Sequence, residues 1–234
     1  MKRALGVLAL GGLLTAATPA AFGGWAVVTI LDVPEYLEAG KPTTIAFKIR
    51  QHGRTLLWDL SPSVTFHRDD VGLIRRIFQR DRVEATKGSK YGVYEATITP
   101  DETGEVTLTI DTDFRGLKLQ LLPMRVVEAE HAPPALSPFE RGRQLFAAKG
   151  CVTCHEKNDD PALAKLQTFK VGPYLTGRTF PTDYLVMKIK NPAENRSAPV
   201  NNVVMPQLEL GVADIEALVS FINAGHVTDN TDSP

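Results

Sequence analysis

The chain has 234 residues, 43% of them hydrophobic and 23% charged, with 26 basic against 27 acidic side chains. That composition excludes a disordered, collagenous or coiled-coil protein, and the length accommodates one large or two small domains of roughly 100–150 residues each. A formal net charge of −1 supplies no global field to attract nucleic acid or anionic lipid, and a cysteine count of 2 excludes a multi-disulfide scaffold.

Residues 1–22 have the layout of a secretory signal. Lys2 and Arg3 precede an uncharged apolar run, Ala4 to Ala17, which ends in small residues around Ala20 and Ala21. The run is rich in Gly and Ala and has no polar face at helical period, so a cleaved leader is expected, with an uncleaved N-terminal anchor as the second outcome.

Residues 23–128 read as β-rich. Ile45, Phe47 and Ile49 alternate with Thr44, Lys48 and Arg50, the mark of a half-buried strand. Further strands are expected at Ala26–Leu31, Val64–Arg68, Tyr91–Thr99, Glu105–Ile110 and Lys118–Val127. Turn material such as Glu38-Ala39-Gly40-Lys41-Pro42 separates them. Six or seven short strands in this span predict an antiparallel, immunoglobulin-like β-sandwich, with Leu73 to Arg82 unassigned because its apolar spacing also suits a helix. His52 and His67 are the only metal-ligand candidates here, no third ligand joins them, and a dinuclear copper site would need cysteines that this half lacks.

Residues 129–136, with paired Pro133 and Pro134, read as a semi-rigid linker. The second domain is expected over 137–228, followed by a tail at 229–234. Ser137-Pro138-Phe139-Glu140 has the form of a capping box with Pro at the first helical position. The helix it opens places Phe139, Gly142, Leu145 and Phe146 near one face and leaves Arg141, Arg143 and Lys149 for solvent.

At the end of that helix stands Cys151-Val152-Thr153-Cys154-His155, which uses both cysteines of the chain. Cys-x-x-Cys-His is the attachment text for c-type haem: two thiols one turn apart meet the two vinyl groups, and the adjacent imidazole reaches the iron. A thioredoxin-like pair wants a βαβ setting that is missing, and tetrahedral zinc would find only three local ligands. One haem c is therefore expected, with Cys151 and Cys154 as covalent attachment and His155 as iron ligand.

A low-spin carrier needs a sixth ligand, commonly a thioether. Met1 lies in the leader, Met124 in the β half and Met187 in a helical stretch, Asp183 to Lys190, that suits packing. Met205 stands in a loop before Pro206 and is the expected second axial ligand. A final amphipathic helix is predicted over Val212 to Asn223, stopped by Gly225.

From Ser137 to His226 the sequence resembles the class I monohaem c-type cytochromes. The matching pieces are Gly142-x-x-x-Phe146, Cys151-x-x-Cys154-His155, Gly172-Pro173-Tyr174-Leu175-x-Gly177, Met205-Pro206 and a terminal helix with Leu218 and Phe221. The resemblance implies that first and last helices cross at Gly142, with Phe146, Leu218 and Phe221 filling the contact. It implies that the Pro173 carbonyl accepts the His155 ring N–H, and that Arg178 binds a propionate. In the β half, GVYEATITPDETGEVTLTI is similar to YtkA-like accessory domains, which bears on fold alone.

The expected function is one-electron transfer with no substrate transformed, in the periplasm or its extracytoplasmic equivalent. The expected partners are redox proteins, possession of a membrane tether at the N-terminus and membership of a membrane respiratory complex being open. Two alternatives stand beside it. One is an open haem iron serving ligand sensing or peroxidase-like catalysis, and the other is a metal-handling β domain with the haem as its electron outlet.

Overall fold

The computed structural model describes residues 24–68, 81–129, 131–166, 169–193 and 203–224. The leader, the 229–234 tail, Gly225 and most of the unassigned Leu73 to Arg82 stretch lie outside the described residues.

Among the described residues, eleven strands build the first half: β1 (Ala26–Ile30), β2 (Leu37–Glu38), β3 (Thr43–Gln51), β4 (Thr55–Leu56), β5 (Ser63–Arg68), β6 (Asp81–Glu84), β7 (Thr86–Lys87), β8 (Val93–Ile98), β9 (Gly104–Asp111), β10 (Lys118–Gln120) and β11 (Met124–Val127). They form two sheets. One runs β1-β3-β8-β7 with β4 on β3, and the other runs β2-β11-β9-β5-β6 with β10 on β9. Every pairing is antiparallel except β2 with β11. Ile45, Phe47 and Ile49 of β3 are buried and join Val64, Val106, Leu108 and Ile110 of the other sheet in one apolar cluster. The alternation seen in the sequence thus marks the face turned to that core.

The strand expected over Lys118–Val127 is two strands, with Leu121-Leu122-Pro123 between them. Pro123 has no N–H to give a ladder and interrupts the pairing there.

The second half contains α1 (Pro138–Ala148), α2 (Thr182–Lys190) and α3 (Val212–Asn223), with short 3₁₀ turns at Cys151–Thr153 and Leu163–Lys165. The capping box is formed in full: the Ser137 hydroxyl accepts from the Glu140 N–H, and the Glu140 carboxylate accepts from the Ser137 N–H at 3.1 Å. α1 and α3 cross at Gly142, where an added Cβ would lie 1.9 Å from the Ala217 carbonyl oxygen. Phe221 of α3 meets the rings of Phe139 and Phe146, each with centroids 5.5 Å away.

Arg141, Arg143 and Lys149 are not left for solvent. Arg141 donates to the Val33 carbonyl at 2.9 Å and pairs with Asp214 at 3.2 Å, while Arg143 pairs with Asp160. Lys149 is buried and donates to the Leu31 carbonyl. For Arg141 and Lys149 the reason is that α1 packs on the segment following β1, whose carbonyls need donors. Gln144 adds bonds to the carbonyls of Pro34 and Glu35, and the Glu35 carboxylate accepts the Leu136 N–H at 3.1 Å.

β1 accounts for this docking. All five of its residues are buried, Ala26, Val28 and Ile30 within the main apolar cluster and Val27 and Thr29 on the opposite alternation. As the edge of its sheet β1 would expose unpaired backbone, and the turn after α1 covers it. The Thr29 hydroxyl donates to the Lys149 carbonyl, and Trp25 stacks on Phe169 at 5.5 Å.

Candidate haem site

Gly150 ends α1 in the left-handed conformation, φ +79°, a position that favours glycine. The chain then enters the 3₁₀ turn Cys151–Thr153, in which side chains three apart eclipse, so Cys151 and Cys154 project to one side. Both are free thiols. Burial pushes each up to about 12, with the neighbouring Cys154 adding to the effect on Cys151.

The His155 ring is fixed by the segment laid alongside. The Phe169 N–H donates to the Thr153 carbonyl at 2.8 Å, Gly172 N–H to Cys154 at 2.9 Å, and Leu175 N–H to Glu156 at 3.0 Å. These bonds bring the Pro173 carbonyl 2.9 Å from His155 Nδ1. With Nδ1 as donor, Nε2 keeps its lone pair for a metal. Gly172 is required at this approach, since a Cβ there would stand 2.5 Å from His155 Cε1. Burial lowers the His155 pKa, opposed by the Pro173 bond, and so favours the neutral ring a ligand must be.

The Met205 segment follows α2 in the chain and leads into α3. Met205 is half-buried between α2 and α3, and Gln207 Nε2 donates to the Lys190 carbonyl at 2.7 Å. Asn223 bonds both the N–H and the carbonyl of Phe180, at 2.8 and 2.9 Å, and so ties the Phe180 segment to α3.

Cys151, Cys154, His155, Pro173 and Met205 all line a single cavity of about 400 Å³. Its walls are mostly apolar and include Phe146, Leu175, Leu185, Ile189, Leu218 and Ile222. Volume and lining suit a large flat cofactor with few polar anchors. Two thiols on one side of a turn, an oriented imidazole and an apolar cleft are the donor set and surroundings that haem c requires, so the residues fit the group. Lys149 lines the cavity too, and so does Val27 of β1, a contribution from the first half that the motifs did not reveal.

Other sequence candidates fall elsewhere. Arg178 is exposed and its N–H donates to the Leu175 carbonyl at 3.1 Å, and it is not among the residues lining the cavity. Met187, expected to pack, is 42% exposed, because it lies on the side of α2 away from buried Leu185 and Ile189. His52 sits in the turn after β3 with its ring against Trp25, and His67 lies on β5 opposite Thr107. Among the described residues no group of three or more His, Cys, Asp or Glu side chains could hold a metal ion. No described helix is long and apolar enough to cross a membrane.

Residues 139–225 match the family model for cytochrome c. No curated protein matches the chain in sequence. Among solved structures, the Lin-41 filamin domain is similar at 17% identity and a TM-score of 0.32, covering 44% of this chain and 93% of that one. A superoxide reductase (neelaredoxin) from Ignicoccus hospitalis shows 14% identity and a TM-score of 0.28 over 43% of this chain and 80% of its own. For a candidate glycoside hydrolase from Bacteroides vulgatus the values are 17% and 0.29 over 41% of this chain, which spans only 17% of that protein. Residues 139–225 thus form a c-type cytochrome domain, a haem-based electron carrier with covalently bound haem c, behind a β-rich N-terminal region.

Proposed function

We propose that the protein is an exported one-electron carrier of the class I monohaem type, with haem c held by Cys151 and Cys154 and with His155 and Met205 as axial ligands. The observation that carries this reading is the convergence of both thiols, the imidazole and the thioether on one apolar cavity. When bound, the haem supplies the one-electron couple. The chain binds it by two thiols, orients the imidazole through the Pro173 carbonyl, and excludes water with Phe146, Leu185, Ile189 and Leu218. A Met partner to His raises the potential, and apolar walls favour the less charged reduced state.

Export is supported by the charged, apolar and small-residue order of residues 1–22, and by the extracytoplasmic habit of cytochrome c domains. Redox proteins of a respiratory chain are the partners proposed, and the β region is read as an immunoglobulin-like sandwich that carries the cytochrome domain.

The test is an optical spectrum of the purified holoprotein, oxidised and reduced, with and without carbon monoxide, on wild type and Met205→Ala. Wild type is expected to show the far-red methionine-to-ferric-iron band and to ignore carbon monoxide, whereas Met205→Ala loses the band and binds the gas. Ready binding of carbon monoxide by wild type would instead place ligand sensing or peroxidase-like catalysis first.

A further inference from the structure

The two segments that carry the expected iron ligands share a support outside the cytochrome domain. Gly150, one residue before Cys151, is pressed on β1: a Cβ at Gly150 would stand 2.3 Å from the Val28 carbonyl oxygen and 2.6 Å from Val27 Cγ1. Val204, one residue before Met205, is held by the turn between β3 and β4, where its N–H donates to the His52 carbonyl at 3.2 Å. At the neighbouring Gly53, buried and at φ +73°, a Cβ would lie 1.9 Å from the Val204 carbonyl oxygen and 3.5 Å from Pro206 Cδ.

These two supports belong to one ribbon. β1 and β3 pair with Val28 opposite Ile49 and Ala26 opposite Gln51. The His52 N–H donates to the Trp25 carbonyl at 3.1 Å, so the turn continues the pairing. Farther along, Lys48 of β3 reaches Glu209 beyond Met205 at 3.6 Å. A hydrogen-bonded ribbon is stiff along its strands, and its register fixes the span between the two places where it grips the cytochrome domain.

We propose that the β1–β3 ribbon is a brace for the haem site: it sets the spacing between the Cys151–His155 turn and the Met205 loop, with Gly53 and the His52 carbonyl as positioning groups for Met205. The β region is then a determinant of how firmly the thioether stays in place and how well the site excludes small exogenous ligands. The inference rests on Met205 as axial ligand, and the experiment separates the two.

The full-length holoprotein is compared as wild type, Gly53→Ala, Gly40→Ala and Met205→Ala. Gly40 has φ +71° with nothing within 4 Å of its Cβ position, so Gly40→Ala imposes the same backbone strain without a clash. The readouts are the far-red band, the reduction potential and the rate of imidazole binding to the ferric protein. Gly53→Ala is expected to weaken the band, lower the potential and speed imidazole binding by about tenfold or more, while Gly40→Ala follows wild type. Wild-type values in Gly53→Ala overturn the brace. An unchanged Met205→Ala spectrum overturns the ligand assignment instead.

A measurement on wild type covers the case in which Gly53→Ala yields no holoprotein. In the reduced protein the Val204 amide is expected to exchange at least about a hundredfold more slowly than a free peptide amide. Free exchange at Val204 would refute the brace.

Discussion

Replacing Gly142 by Ala sets two effects against each other. Helix propensity alone favours Ala by about 1 kcal/mol at this interior position of α1. The crossing with α3 opposes it, because the new Cβ would stand 1.9 Å from the Ala217 carbonyl oxygen, 2.6 Å from its carbon and 2.7 Å from Phe221 Cβ. The first two atoms are backbone and cannot turn aside as a flexible side chain could. Ordinary contact begins near 3.4 Å, so α1 and α3 must part by about 1.5 Å. That movement loosens Phe146, Leu218 and Phe221, all fully buried. Overpacking of this kind costs about 3 kcal/mol, and the lost contacts add to it, which leaves a net loss of about 2–3 kcal/mol. For a chain of this size the melting temperature should fall by about 4–12 °C. Urea unfolding of the holoprotein, followed by far-ultraviolet and haem-band circular dichroism, measures the loss and tests whether both regions unfold together. An unchanged or higher midpoint at constant slope would refute the crossing geometry.

Gly172→Ala should displace the His155 ring from the Pro173 carbonyl, since its Cβ would fall 2.5 Å from Cε1 and 2.7 Å from Nδ1. Proton exchange of the ring Nδ1–H, followed by NMR in the reduced holoprotein, is expected to accelerate by about tenfold or more, and an unaltered rate would count against the contact. Asp160 is pushed up by burial, but its bonds to Arg143 and to the Leu163 and Ala162 N–H groups outweigh this and hold its pKa below the ordinary 3.8. Its contribution is therefore complete above pH 3.8 and disappears as pH falls through the lower folded-state value. Asp160→Asn should cost about 2 kcal/mol at pH 7 and progressively less below that range, so parallel stability curves for variant and wild type down to acid unfolding would exclude the pair as the cause.

Legibility from sequence followed the range of the interactions. The Ser137–Glu140 box and the span of α3 depend on residues within four positions of each other, and local chemistry announces them. The face of β3 was equally plain, because alternation records burial directly. Arg141 and Lys149 looked like solvent-facing cations because their partners, the carbonyls of Val33 and Leu31, lie 108 and 118 residues away. Met205 could be singled out by its neighbour Pro206, but nothing local pointed to its link with His52. One signal was available. Ala26-Val27-Val28-Thr29-Ile30 has Thr29 as its one polar residue and carries no charge on either alternation, and a strand so nearly apolar signifies cover on both faces.

The bonds between the β edge and α1 bear on how the chain reaches its native state. They join residues 101 to 120 positions apart, from Leu136 with Glu35 to Thr29 with Lys149. Closing a loop of that length costs about 2 kcal/mol more entropy than closing one of ten residues, before any contact compensates. Small helical domains fold quickly because their contacts are local, whereas sheets wait for distant partners. In this chain α1 packs on α3 but also bonds to the segment after β1, so the last of its contacts are expected to wait on the slower timetable of the sheet.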